Sequence, residues 1–287
     1  MNVKIISAIL VLAFASMACG FDVDLPERVQ PGPDVEESIT VAGPALSGDE
    51  ASDDETRLTI SFGAGSLRLS PGAKNLVDGT AVYNYSELKP EVIKNDGSVT
   101  IKQGEFRNLV NPNDIHNDWD LQLGKMPIDL TINAGAYQGT YELGGLSLTS
   151  LTVQDGAADV ELSFAEPNKT EMSVLRYETG ASSVTLSGLA NANFSTLIFS
   201  GGAGNYELDF SGELKDNATV KIEAGAGDVQ LIIPEGVNAE VTVESTFVSI
   251  NHSSGWSQDG NDYTQSGDGP TLTIIVKMAA GNLTITD

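Results

Sequence analysis

Chemistry-bearing side chains are scarce in this chain of 287 residues: one cysteine, two histidines, two tryptophans, and 15 lysines and arginines together. A single cysteine, Cys19, cannot form a disulfide within the chain, so the fold must rest on its core and its hydrogen-bond ladders. The histidines, His116 and His252, stand in separate polar, loop-like segments. With no second cysteine and no His-x-x-x-His spacing, they offer no zinc-ligand set. Basic residues are outnumbered by 40 aspartates and glutamates, for a formal charge of −25. A field of that sign repels phosphate backbones and argues against nucleic acid as a partner. It also gives a solvated, aggregation-resistant exterior. Beyond the first twenty residues no apolar run is long enough to span a bilayer.

Catalytic signatures are missing as well. There is no Gly-x-Ser-x-Gly elbow. The recurring Gly-Ala-Gly segments lack the Lys-Ser/Thr ending of a phosphate loop, and they sit between strand-like stretches with no helix to offer its N-terminus. No catalytic residue, metal or cofactor is expected.

What the chain does have begins with an address. Met1 to Cys19 reads MNVKIISAILVLAFASMAC, with Lys4 as a positive n-region and an apolar run from Ile5 to Ala15. Small residues then lead to Cys19. This resembles the bacterial lipoprotein signal, in which the cysteine is lipidated and becomes the mature N-terminus. Ser16 stands where that motif usually has leucine, and cleavage after Ala18 with a free thiol is the alternative. Residues 20–37 are acidic and contain Pro26, Pro31 and Pro33, a composition that reads as a tether between membrane and fold. The expected location is the bacterial cell envelope, with a lipid anchor at Cys19; secretion is the alternative.

The rest is dominated by a repeat. The pattern Φ-x-Φ-x-x-G-x-x-x-Φ-x-Φ, where Φ is apolar, fits Leu58 to Leu69, Leu151 to Leu162, Leu175 to Leu186, Leu197 to Leu208 and Val220 to Leu231. Ile274 to Ile285 fits with Ala279 in the glycine slot, Leu130 to Leu143 has two extra residues, and Val241 to Ile250 is a worn copy. From Leu130 the units recur about every 21 to 24 residues, which signals a repeat architecture. Alternation on both sides of the glycine segment puts Val220, Ile222, Val229 and Leu231 on one face. Gly225-Ala-Gly-Asp228 between them suits positive φ and a tight reversal or corner. One such unit cannot cover its own apolar face, whereas stacked units can. The expected fold is all-β, a β-solenoid or stacked-sheet architecture built from strand–turn–strand repeats.

Asp159, Ser183, Asn205, Asp228 and Asn282 hold equivalent positions after the glycine segment and would line up in a stack, either as calcium ligands or as ordinary turn caps. Residues 90–102 read as a hairpin around Asp96-Gly97. The polar insertion 251–269 reads as a long loop. Its Trp256 and Tyr263 are the candidate exposed partner contacts, and Trp119 is read as a packing residue.

Leu58 to Leu69, Leu88 to Val92 and Val99 to Gln103 resemble the N-terminal module of bacterial toast-rack proteins. Trp119 to Leu123, Pro127 to Leu130, Gly144 to Leu146 and Gly156-Ala157 are similar to the part that follows in that family, and the last hundred residues to an adhesin module found with it. The resemblance implies stacked sheets and no catalytic residues. After the signal at 1–19 and the tether at 20–37, it divides the chain into a 38–105 N-terminal toast-rack-like module, a 106–118 connector and a 119–287 β-repeat domain. Related domains occur in LiaF-like regulators of the cell-wall stress response.

Export, tether, repeat and absent chemistry point to a non-catalytic envelope scaffold with an adhesion-like role, binding a protein or glycan partner. An envelope-stress sensor or regulator of the LiaF-like kind is the second reading. A carbohydrate-active β-solenoid enzyme is the third, and it would need acids and bases converging on one face. The alternation itself is testable by mutation. Leu208→Asp should bury an unpaired charge and destabilise the fold by several kcal/mol in a chemical melt, while Glu207→Lys should leave the midpoint nearly unchanged.

Overall fold

The computed structural model describes residues 29–43, 55–105, 111–245 and 247–287. Cys19, the signal segment and most of the tether lie outside these. Sixteen strands follow in chain order: β1 (Val35–Val41), β2 (Thr56–Pro71), β3 (Val77–Tyr83), β4 (Glu91–Asn95), β5 (Ser98–Lys102), β6 (Asn117–Leu123), β7 (Ile128–Glu142), β8 (Leu148–Ser163), β9 (Met172–Ser187), β10 (Phe194–Asp209), β11 (Ala218–Ile232), β12 (Asn238–Val243), β13 (Val248–His252), β14 (Ser257–Asp259), β15 (Asp262–Gln265) and β16 (Thr271–Thr286). Among the described residues only three short 3₁₀ turns accompany them, and no helix is long and apolar enough to cross a membrane.

Seven of these strands, β2, β7 to β11 and β16, are 15 or 16 residues long and stack in parallel. Each is one repeat unit. The glycine segment makes a corner within a continuous strand, not a reversal. The buried positions of β11 show how the corner works. Ala218, Val220, Ile222 and Ala224 point inward, and after four corner residues Val229 and Leu231 do. Alternation in a straight strand would carry 226, 228 and 230 inward. The corner therefore shifts the inward set by one residue, and both arms of the bent strand face the same core.

Register is kept from unit to unit. Leu58, Leu130, Leu151, Leu175, Leu197, Val220, Ile274 and Val241 are successive neighbours, all at most 1% exposed. Burial of each is worth about 2 kcal/mol. Chain order and spatial order differ at both ends of this row. The Leu58 unit pairs directly with the Leu130 unit, skipping residues 72–127. The last unit, β16, lies beside β11, and the worn copy is displaced outward as two short strands, β12 beside its first arm and β13 beside its second. The insertion 251–269, expected as a loop, contains the β14–β15 hairpin, and β15 extends the sheet from β12. The expected hairpin at residues 90–102 is present as β4 and β5, with Gly97 at φ 69°.

Return segments between the long strands close the core with Leu143, Leu146, Phe164, Leu189, Ala192 and Phe210, all buried. Asparagines hold these segments to one another. Asn168 is fully buried; its Nδ2 donates to the Leu148 and Thr170 carbonyls, and its Oδ1 accepts from the Leu148 N–H. In the next layer Asn191 Nδ2 donates to the Phe164 carbonyl. This buried polar ladder gives no periodic signal as clear as the glycines.

At the corner, glycines stack on glycines. A Cβ on Gly180 would lie 2.4 Å from the Gly156 carbonyl oxygen, one on Gly202 2.3 Å from that of Gly180, and one on Gly225 2.5 Å from that of Gly202. From Gly63 to Gly225 close approach of the units leaves no room for a side chain beyond glycine in most of this row, and the last unit ends it with Ala279. At Gly227, two positions past the row, the backbone also has φ 134°. At the first end Gln103 closes the row: its Oε1 accepts from the Gly63 N–H at 2.9 Å and from Asn117 Nδ2 at 2.9 Å. Asn117 Oδ1 in turn accepts from the indole of Trp119, which is buried edge-on against Phe62.

His116 joins the segment before β1 to β6. Its Nδ1 faces Asp34 at 2.9 Å and its Nε2 faces Asp118 at 2.7 Å. Hydrogen bonding to Asp34, helped by Asp118 and opposed by partial burial, raises the imidazole pKa above its ordinary 6.5.

Two predictions follow from the corner and the histidine. Gly180→Ala should destabilise the protein by roughly 2 to 4 kcal/mol in a urea melt, because the clash is with backbone. Gly97→Ala, with open space around it and only the positive φ to overcome, should cost roughly 1 kcal/mol. A histidine whose folded pKa is raised stabilises fully below its unfolded pKa and loses that contribution as pH rises through the folded pKa. Melts between about pH 6 and pH 8 should show that decline in the wild type, and His116→Gln should flatten it.

Candidate functional site

The two arms of the stack present different outer surfaces. On the first arm the outward rows mix signs, with Arg176, Lys221 and Lys277 among Asp129, Glu178 and Glu223. On the second arm, from β7 through β11 and β16, the residues after the corner include Glu142, Asp159, Glu161, Glu207, Asp209 and Asp228 and neither lysine nor arginine. Two of these acids close the end of the arm. Glu142 accepts from the Gly144 N–H and from Ser163, and Asp209 accepts from the N–H and hydroxyl of Ser211. The others face outward among Ser183, Thr185, Asn205, Gln230, Asn282 and Thr284.

The row expected from sequence is real. Asp159, Ser183, Asn205, Asp228 and Asn282 are register neighbours, with Ser249 of β13 next. Asn282 Nδ2 donates to Asp228 Oδ1 at 2.6 Å. The row borders a shallow concavity of about 530 Å³ that runs from β9 to β13. Among the described residues no group of three or more His, Cys, Asp or Glu side chains is placed to hold a metal ion.

A larger trough of about 980 Å³ follows the corner on the first arm, with Gly202 and Gly225 in its floor and Glu178, Glu223, Glu244 and Lys277 along it. Most of its charge is satisfied internally. Lys277 pairs with Glu244 at 3.1 Å, Arg176 with Glu178 at 3.2 Å, and Gln154 Nε2 donates to Glu178. Asp155, half-buried at the inner margin, accepts from the hydroxyls of Tyr177 at 2.7 Å and Tyr137 at 3.4 Å, and from Thr179. Tyr141 donates to Tyr137, completing a polar cluster inside the corner. Burial is the main reason that the phenols of Tyr137, Tyr141 and Tyr177 are all pushed well above their ordinary pKa, so they remain neutral. The cluster braces three adjacent units. Sequence spacing did not single it out, because Tyr141 and Tyr177 occupy aliphatic slots of the repeat and Tyr137 lies in the corner, in register with Gly65 and Ala158.

Trp256 and Tyr263 are not exposed contacts. They are 5% and 3% exposed and pack against the end of the core, Tyr263 edge-on to His252. The insertion folds back over the last unit, so the aromatic residues close the stack. Apolar exposure lies elsewhere, at Phe247, which is 78% exposed.

The chain matches the family model described as the N-terminal domain of toast_rack, DUF2154, over residues 30–187 and again over 168–232. No curated protein matches it. Several solved structures are similar. One is of a candidate cell adhesion protein from Clostridium sporogenes, with 21% identity over 90% of this chain and 99% of that one and a TM-score of 0.48. Another is of a candidate adhesin from Bacteroides fragilis, with 9% identity, the same coverage and a TM-score of 0.34. A third is of a candidate lipid binding protein from Parabacteroides distasonis, with 8% identity, the same coverage and a TM-score of 0.38. The two family matches together span more than half of the sequence, and the chain belongs to the toast-rack family.

Proposed function

We propose that this protein is a non-catalytic scaffold of the cell envelope, held outside the membrane through Cys19 and the acidic tether, and that it engages a protein or glycan partner. The observation that carries this reading is the second arm. An ordered surface of carboxylates, amides and hydroxyls extends over six adjacent strands without one cation. Such a surface accepts hydrogen bonds and attracts positive charge. The adhesin names of similar structures belong to those proteins. They agree with the reading without deciding it, and membership of the toast-rack family is compatible with it.

Affinity capture from envelope fractions, with the mature protein as bait, tests the proposal. A retained protein or glycan whose binding falls when Asp159, Glu161 and Glu207 are changed together to Asn or Gln supports it. Equal recovery with the neutralised protein, or no recovery at all, counts against it. Mass spectrometry of the same preparation should find a diacylated or triacylated Cys19, whereas an unmodified N-terminal Cys19 would remove the anchor from the proposal.

A further inference from the structure

We propose that the free edge of β13 is a docking site for an extended segment of a partner protein that alternates apolar and basic residues. This deepens the scaffold reading above and rests on it for the existence of a protein partner.

Four strands have an unpaired edge among the described residues: β1 beside β3, β4 beside β5, β14 beside β15, and β13 beside β16. Three of them are guarded in the usual manner. β1 carries Glu36 and Glu37, β4 carries Glu91 and Lys94, and β14 has only three residues including Asp259. Charge and shortness are how proteins keep an edge from recruiting another strand. β13 reads Val-Ser-Ile-Asn-His, with no acid, lysine, arginine or proline.

The backbone orientation of β13 follows from its ends. The Phe247 carbonyl accepts from the Gly281 N–H at 3.3 Å, and the Ser253 N–H donates to the Ile285 carbonyl at 2.9 Å. In a parallel pair a residue directs its N–H and its carbonyl to the same side, and the side alternates along the strand. Residues 247, 249, 251 and 253 therefore face β16. The N–H and carbonyl groups of Val248, Ile250 and His252 face the open edge, a spacing that one extended chain can satisfy.

Side chains describe the guest. Val248 and Ile250 turn toward the core but are only partly buried, so a strand laid beside them would cover apolar surface with its own inward residues. Phe247 stands exposed at the entrance. Ser249 and Asn251 point outward in the same rows as Asn282 and Thr284, beside the strands whose second arms have no lysine or arginine. Asp287, hydrogen-bonded to Ser253, adds a carboxylate at the far end of β13. Basic outward residues on the guest complement that field. A second copy of this chain, with its charge of −25, does not. Main-chain bonds would provide affinity, and the alternating side chains would provide specificity.

The test uses the full mature chain and a fluorescein-labelled nine-residue peptide of alternating valine and lysine, compared with its valine–glutamate counterpart. Anisotropy should show saturable binding of the lysine peptide and none of the glutamate peptide. Hydrogen exchange should show new protection at the amides of Val248, Ile250 and His252. Val248→Pro removes an outward donor and should weaken binding roughly tenfold or more. Ser249→Lys with Asn251→Lys changes only exposed positions, so it serves should the proline variant fail to fold, and it should reverse the peptide preference. Binding unchanged in both variants, or protection elsewhere on the arm, would mean adhesion to the general acidic surface and would overturn the proposal. Concentration-dependent self-association protecting the same three amides would overturn it in favour of a second copy. Capture of an envelope partner that is lost on neutralising Asp159, Glu161 and Glu207 but is indifferent to both β13 variants would refute the edge alone and leave the scaffold reading standing.

Discussion

Everything in this molecule depends on backbones meeting without side chains at the corner. Gly135, Gly180, Gly202 and Gly225 each lie so near the carbonyl of the preceding unit that a methyl group would collide with it, and at Gly156 the fit would be tight. That contact sets the distance between units, and the four-residue corner sets which residues face inward on the second arm. With both satisfied, a sixteen-residue strand can wrap one core with both of its arms. Stability then accumulates layer by layer, as in other stacked architectures, and the demands on each unit are nearly the same.

Much of this was legible in the sequence, for a physical reason. The one-residue shift at the corner is written in the repeat as Φ-x-Φ, an even number of intervening positions, then Φ-x-Φ, so Val220 and Ile222 could be assigned to the same face as Val229 and Leu231 without coordinates. The expected row from Asp159 to Asn282 follows from the same register. What could not be read was the order of layers at the ends. Nothing local distinguishes β16 from β12 as the neighbour of β11, because both present the same apolar alternation and the choice depends on which of them completes both arms. β16 is an intact unit and does so; the worn copy cannot, and it is left to cap the stack in two pieces.

The surface was legible only in part. The acidity of the chain is plain, but its segregation onto one arm emerges when residues about 22 apart become neighbours. Trp256 and Tyr263 illustrate the opposite failure. A glycine- and serine-rich context suggested exposure, yet a solenoid must bury its last apolar layer under something, and the insertion provides the aromatics to do it. The Tyr137–Asp155–Tyr177 cluster was hidden because Tyr177 replaces valine in an otherwise regular pattern and Tyr137 stands in the corner, and only the structure shows that their hydroxyls converge on one carboxylate.

The architecture also limits where recognition can occur. The interior is filled, the corner is held closed by backbone contacts, and the return segments are tied down by Asn168 and Asn191. Change can accumulate freely only on outward positions and at the ends. Outward positions vary without altering register, which allows the second arm to lose every lysine and arginine from β7 through β11 and β16 while the first arm keeps a balanced surface. The ends are where the repeat must stop, and stopping leaves an edge that has to be guarded or used. The first end is sealed by Gln103, Asn117 and Trp119 and carries charged edge strands. At the other end the first arm is sealed by a hairpin and buried aromatics, while the second arm ends in β13, with the main-chain groups of Val248, Ile250 and His252 turned outward. Under the proposed scaffold reading, recognition therefore falls on the acidic arm and on the strand edge that continues it.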